Sequence, residues 1–388
     1  MVTLTSAENA LKTLYLGVVA DQLNTSVNPL LAQIEHTSSD VWGKEIRKLA
    51  PFGVNGGVGA GTETGALPTS GQNNYAQFVL TLKNLYGTIE LSDKAIRASS
   101  NSAGAFVNLL NAEMEGLLKA SKFNFGRMLF GDGSGKLCTV VSANGNVITV
   151  DSVKNVIEGQ VVDVVSGTSV LSGACQRRIV SVDRVNKTIT LGGATIASGT
   201  ISPSDVVTIQ GSFNLELTGL GAIFSNSNTL YGLARSDNAW LTPYSKTAET
   251  LTDISIQTAI DTLDETAGSI ADFIVCSAGV KRAYQNYLIT NRTNVDYMNL
   301  QGGYKAISYN GIPIVSDRFC PQGTMYILNT KDFHLHQLCD WRWLEGEGGN
   351  VLKQTAGRPS YTATLVKYAD LICDRPIGQA VLTGITEA

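Results

Sequence analysis

Two short stretches carry residue types at spacings that suit chemistry. His334, His336 and Cys339 form an H-x-H-x-x-C cluster. On a strand, alternation sets both imidazoles on one face, and imidazole with thiolate is an ordinary zinc ligand set. A structural zinc site takes four ligands and no fourth is evident nearby, so a surface strand is the plainer reading. Gly131-Asp-Gly-Ser-Gly135-Lys136 invites a phosphate-loop reading, because glycine-rich backbone amides and a lysine cradle phosphates. The spacing fails. A Walker loop in this register needs Gly at 130 and Ser or Thr at 137, where the chain has Phe130 and Leu137. The stretch also follows a helical pattern instead of a strand, so it reads as a glycine-rich helix terminator.

The chain has 3 histidines (36, 334 and 336) and no G-x-S-x-G elbow. A Ser/His/Asp or Cys/His site would have to use His334 or His336 with a nucleophile that nothing marks. Glu345 and Glu347 lie in a glycine-rich stretch that reads first as a solvated loop. Trp341 and Trp343 flank Arg342 and read as core or interface packing, over a base-stacking platform. No residue is assigned a catalytic, cofactor-binding or metal role, and no cofactor is expected.

Charged residues make up 16% of the 388 residues, against about 25% in ordinary soluble proteins. No apolar run of about 18 or more residues exists to span a membrane. So little charge suggests a surface hidden against partners. A net charge of −4 argues against a dedicated nucleic-acid reader, which needs clustered Lys and Arg. The 6 cysteines are scattered with no CxxC and read as thiols kept in a reducing cytoplasm.

The elements follow from periodicity. Thr5 to Glu8 has capping-box spacing, with Leu11, Leu14, Tyr15, Val18 and Val19 at helical intervals. This predicts an amphipathic helix over about residues 6–23, leading into a polar arm that needs another surface to lie on. Gly53, Gly56, Gly57, Gly59, Gly61, Gly65 and Gly71 cannot build a compact core element, since each lacks a packing side chain. After them Tyr75 to Leu91 alternates, a strand of roughly 50 Å at ~3.3 Å per residue. The spacing predicts a projecting ribbon, 46–54 against 75–91, lying across a neighbouring molecule. Residues from Ala103 to about Phe130 keep the i, i+3, i+4 rhythm of one helix ~40 Å long. From Leu137 to Ser212 there is no Phe, Trp or Tyr. That block is Val, Ile, Thr, Ser and Gly in short alternating runs. Residues 146–150 resemble 187–191, and 159–164 resemble 204–209. With Asn144-Gly145 as a type I′ turn, it predicts an inserted β-barrel or sandwich of about six strands. Beyond Leu215, helices near 253 and 280–290 alternate with strands at 272–277, 312–316, 324–328, 333–338 and 361–373, a second α/β body.

In this order the chain resembles the major capsid proteins of tailed bacteriophages, the Hong Kong 97 fold. The likeness is carried by Tyr75–Ser99 running into the long helix, Leu217-Thr-Gly-Leu-Gly-Ala-Ile-Phe224 with Leu230–Trp240, and Tyr309-Asn-Gly-Ile-Pro-Ile-Val315. The resemblance implies an α+β capsid fold with N-arm, extended E-loop ribbon, long spine helix, and peripheral and axial domains, plus a small all-β insertion. It divides the chain into an N-terminal arm (1–40), the ribbon and start of the peripheral domain (41–92), the spine helix (93–136), the inserted domain (137–212), a return to the peripheral domain (213–250) and an axial domain with return strands (251–388).

The function so implied is a non-enzymatic major head protein that self-assembles into hexamers and pentamers of an icosahedral shell enclosing double-stranded DNA. Its partners are further copies of itself, a portal, separate scaffolding or decoration proteins, and DNA held without sequence specificity, with no membrane. It would sit in the virion capsid after assembly in the host cytoplasm. Gly56, Gly57, Gly59, Gly61, Thr62, Leu67 and Phe78 are the implied intersubunit residues of the E-loop. Lys44, Lys48 and Lys83 lie in the ribbon region, where some relatives form Lys–Asn crosslinks, but nothing marks a partner Asn. An encapsulin-type compartment and a β-domain-bearing enzyme are the alternatives.

Overall fold

The computed structural model describes residues 28–94, 103–291, 297–299, 305–346, 349 and 351–388. The expected helix at 6–23 lies outside them, as does Glu347.

One helix, Ala103–Phe130, lies along a five-stranded sheet. Strand Ser360–Cys373 is central there. It pairs antiparallel with Phe333–Trp343 on one side and with Lys83–Ser92 on the other. A short parallel strand, Glu35–Thr37, extends the sheet beyond Phe333–Trp343. Gly87 lets the helix approach, since a Cβ there would stand 2.9 Å from Leu117 Cδ1. Leu118, Phe125 and Leu129 bury the helix against this layer.

The second sheet has seven strands in the order Tyr244–Thr247, Ala380–Thr383, Met325–Leu328, Phe273–Cys276, Ile312–Ser316, Lys305–Tyr309, Tyr297–Asn299. Its inner strands are continuously apolar because both faces are covered. Phe273, Val275, Tyr326 and Leu328 point into the core shared with the first sheet. Ile274, Cys276, Met325 and Ile327 point the other way, under helices Asp253–Ala267 and Ala278–Thr290. The first of these helices starts at a Thr252–Ser255 capping box and stops at Gly268, whose φ of 55° is left-handed; both are local sequence signals.

Residues 136–209 form a third, separate core. Strands Lys136–Asn144, Val147–Val150, Val161–Ser166, Arg177–Asp183, Thr188–Leu191 and Val206–Ile209 pair around a closed ring, which the Arg177–Val162 and Arg178–Val161 pairs complete. Ile148, Val150, Val162, Val164, Ile189, Leu191 and Val207 fill it. Barrel diameter grows with strand number, so a six-stranded ring is narrow, and branched aliphatics fill its interior. The similar segments are neighbours: 147–150 pairs with 188–190, and 162–165 with 206–209, both antiparallel.

Two details differ from the sequence reading. The hairpin turn is Gly145-Asn146, and only Gly145 has positive φ, so the type I′ turn expected at Asn144-Gly145, which needs two such residues, is not formed. The 75–91 strand is not one projecting element. It breaks at Leu82, whose amide donates to Lys44 O at 2.9 Å. Asn74–Thr81 pairs with Glu45–Phe52 in a ribbon, while Lys83–Ser92 joins the central sheet. The alternating pattern is satisfied equally by two strands in two sheets.

Candidate interaction surface

The ribbon is a two-sided hairpin whose inner face is committed to its own chain. Ile46, Phe78 and Leu80 are buried. Phe52 stacks on Trp240 at 5.2 Å between centroids, and Phe78 meets Tyr231 at 5.0 Å and Trp240 at 5.8 Å. Lys48 Nζ reaches Asp374 Oδ2 at 2.7 Å. The outer face carries Leu49, Tyr75 and Val79 into solvent.

Between the ribbon strands runs loop 53–73, with no helix or strand of its own. A loop longer than about 12–15 residues without secondary structure is uncommon and usually functional. Its two legs lie side by side. Asn55 Nδ2 donates to Asn73 Oδ1 at 3.2 Å, and Gly57 N to Asn55 Oδ1 at 2.9 Å. The legs approach closest at Gly57 and Gly71, where a Cβ on Gly71 would stand 2.5 Å from Gly57 N. Only glycine permits that approach. Val54, Val58 and Leu67 are 85%, 89% and 90% exposed. Fully burying such a side chain is worth about 1.5–3 kcal/mol, so a surface covering all three gains on the order of 5 kcal/mol before ordering costs.

Six of the seven residues expected at the interface, Gly56, Gly57, Gly59, Gly61, Thr62 and Leu67, lie in this exposed loop. Phe78 does not. It points inward at 1% exposure, because strand alternation turns it to the face that packs on Tyr231 and Trp240; it anchors the ribbon instead of presenting it. The sequence reading missed Asn55 and Asn73, which tie the legs, and Trp42, Leu49 and Tyr75, which extend the exposed apolar surface. Asn and Gly placed near both ends of the glycine-rich stretch were the available signal.

The other candidates are structural. Gly131–Lys136 joins the long helix to the barrel, with left-handed φ at Gly133 (86°) and Gly135 (81°). Arg127 stitches this junction. Its guanidinium pairs with Glu216, where the chain leaves the barrel, and with Asn124 Oδ1 at 2.7 Å, both charges being buried. Burial pushes the Glu216 carboxyl up, against the pull of Arg127. A groove of about 790 Å³ lies between barrel, helix and central sheet, lined by Leu85, Leu117, Phe125, Met128, Ile209 and Trp341 among others. Trp341 and Trp343 are buried. Trp341 packs edge-on against Phe125, and the fully buried ammonium of Lys367 sits 5.5 Å from the Phe125 ring, bonded to Asp340 at 2.6 Å. The rings of His334 and His336 stand 6.2 Å apart and a bulge follows Gln337. Among the described residues no group of three His, Cys, Asp or Glu is placed to hold a metal.

These elements make up a layered α+β body carrying a long helix, a ribbon and an exposed apolar loop. The chain is similar to a solved capsid asymmetric unit of cyanophage A-1(L), 16% identical over 95% of this chain and 93% of that one, with a TM-score of 0.54. The chain therefore has the tailed-phage capsid fold. An encapsulin complex from Synechococcus elongatus (10% identity, 95% of both chains, TM-score 0.47) and a gene-transfer-agent capsid (13%, 93% and 92%, TM-score 0.45) also align, but at those scores they add nothing to the fold assignment. Neither a protein-family model nor a curated protein sequence matches the chain.

Proposed function

We propose that this chain is the major capsid protein of a tailed phage, a non-enzymatic subunit that builds hexamers and pentamers of an icosahedral shell around double-stranded DNA. The observation that carries this reading is loop 53–73, whose Val54, Val58 and Leu67 stand exposed, without cover from the described residues, on a body with a phage capsid fold. Such a loop acts as the E-loop, lying across the adjacent subunit. Residues 1–40 act as an arm, 93–136 as the spine, 137–212 as an inserted domain on the outer surface, and 251–388 as the axial domain closing the capsomer centre, with return strands to the peripheral domain. Copies of itself are the main partners, with a portal, and scaffolding or decoration proteins, completing the particle in the host cytoplasm. Closed symmetry repeats each weak contact around the shell, and overlapping arms make the assembly collectively strong. A net charge of −4 suits a container that holds DNA without gripping its sequence.

Deleting residues 56–71 tests this reading. The variant should remain soluble and folded while closed particles, counted by electron microscopy, are lost. Equally stable particles from the deletion would refute the role given to the loop. Wild-type particles containing protein and no nucleic acid would move the assignment to a cargo compartment.

A further inference from the structure

All three histidines of the chain meet at one short edge strand. Glu35–Thr37 pairs with residues 334–336, placing Glu35 beside His334, His36 beside Leu335 and Thr37 beside His336. The segment after this strand holds the ribbon root: the short strand Val41–Trp42 pairs antiparallel with Glu45 and Ile46, Asp40 O accepts from Arg47 N at 3.0 Å, and Lys44 O from Leu82 N at 2.9 Å. Upstream, Leu30, Leu31 and Ile34 are buried in the core. Residues 35–44 thus bridge a fixed point and the ribbon.

Each face of this bridge carries a histidine near a lysine. On one face His336 is buried, with Nδ1 2.9 Å from Ser39 O and Nε2 without a hydrogen-bond partner among the described residues. In neutral form Nδ1–H donates to Ser39 O, and Nε2 is left bare. A second proton would put a buried charge with no acceptor at Nε2. The charged groups around it are Lys48 on the ribbon, Asp374 beyond the central strand, and His334 on its own strand; Asp370 lies opposite in register, with Lys83 acting on that carboxyl. On the other face His36 lies within electrostatic reach of the buried Lys367 ammonium and of Asp340. Burial lowers both His36 and His336 below the usual imidazole range. His334 differs, with two carboxylates facing it, Asp374 at 3.1 Å and Glu35 at 3.6 Å.

We propose that strand Glu35–Thr37 and the segment that follows it to residue 44 form an acid-released clasp on the root of the ribbon. When released, His36 and His336 are exposed and take up protons near the ordinary imidazole value of about 6.5; when clasped they resist protonation. The released form binds more protons, so acid favours it, by up to about tenfold per pH unit for each histidine. Release removes the Asp40 and Lys44 carbonyls from the ribbon and leaves Lys48–Asp374 and the packing of Phe52 and Phe78 on Trp240 and Tyr231 to hold it. The inference concerns the single chain and does not depend on the shell reading.

The test is hydrogen exchange of the unassembled full chain at pH 7.5 and 5.5, corrected for intrinsic rates, with barrel peptides within 137–209 as internal reference. Peptides spanning 35–47 should gain at least about tenfold in relative exchange at pH 5.5. The double variant His36→Gln, His336→Gln should lose that gain, while His334→Gln keeps it. An unchanged ratio in the wild type, a gain that survives the double variant, or its loss in His334→Gln alone would overturn the proposal. Should the double variant fail to fold, histidine ring NMR of the wild type decides. Two of the three rings should titrate together with the exchange gain, and titration without it refutes the clasp.

Discussion

Arg127 and Glu216 show how much one buried pair can be asked to do. They join the last turns of the long helix to the chain leaving the barrel, and both are almost fully buried. Removing one partner of such a pair typically costs about 3–5 kcal/mol, because the other charge is left unpaired in a poor solvent. Arg127→Met should lose about that much stability in chemical denaturation, and adding Glu216→Leu should restore most of it. A loss below about 1 kcal/mol in the single variant would mean that water reaches Glu216. Asp370 offers a second test. It is fully buried, accepts from Thr218 N at 2.7 Å and Leu371 N at 2.9 Å, and burial pushes its carboxyl up to about 6. A folded-state value above the unfolded one means that the native state binds the proton more tightly, so stability grows as pH falls through about 6 towards the unfolded value of about 3.9. Asp370→Asn should therefore gain on the wild type at pH 7.5, by on the order of 3 kcal/mol at most, and lose that advantage near pH 4. Parallel stability curves from pH 7.5 to 4 would contradict it.

At the scale of elements, the ribbon separates anchoring from presentation. Phe52 and Phe78 fix its inner face on Trp240 and Tyr231, while the loop beyond keeps its legs together through Asn55, Asn73 and the Gly57–Gly71 approach. Gly71→Val should push the legs apart. The loop is exposed, so subunit stability should change by less than about 0.5 kcal/mol while particle yield falls severalfold; an unchanged yield would show that the shape of the loop is irrelevant to assembly. The glycine-rich stretch and the exposed loop residues were legible in the sequence because glycine excludes core packing. The direction of Phe78 was not. Alternation assigns a face but does not say which face meets the body, and that depends on Trp240 and Tyr231, more than 150 residues away in the chain. The break at Leu82 was hidden for the same reason, since either sheet satisfies the alternation.

For the whole molecule, the barrel is the clearest modular unit. Its core is separate, and the chain enters and leaves at one place, where Asn214 N donates to Ser134 O at 3.0 Å. It touches the second sheet's loops through Lys154, whose ammonium donates to Cys320 O. Excising 138–211 across a short linker should leave a soluble body with native helix and sheet content by circular dichroism, and should lower particle stability to heat. Complete loss of folding would show that the barrel is integral to the core.

The sequence by itself determined the local outcomes: the long helix, the capped helix after Thr252, the aromatic-free barrel and the loop that cannot bury itself. These depend on period, capping and side-chain volume, which act over a few residues. Only the tertiary structure decided which strands share a sheet, that the similar barrel segments pair with each other, and that His36 joins His334 and His336 from almost 300 residues away. Those outcomes depend on which distant surfaces bury one another, and a local pattern carries no record of its eventual partner.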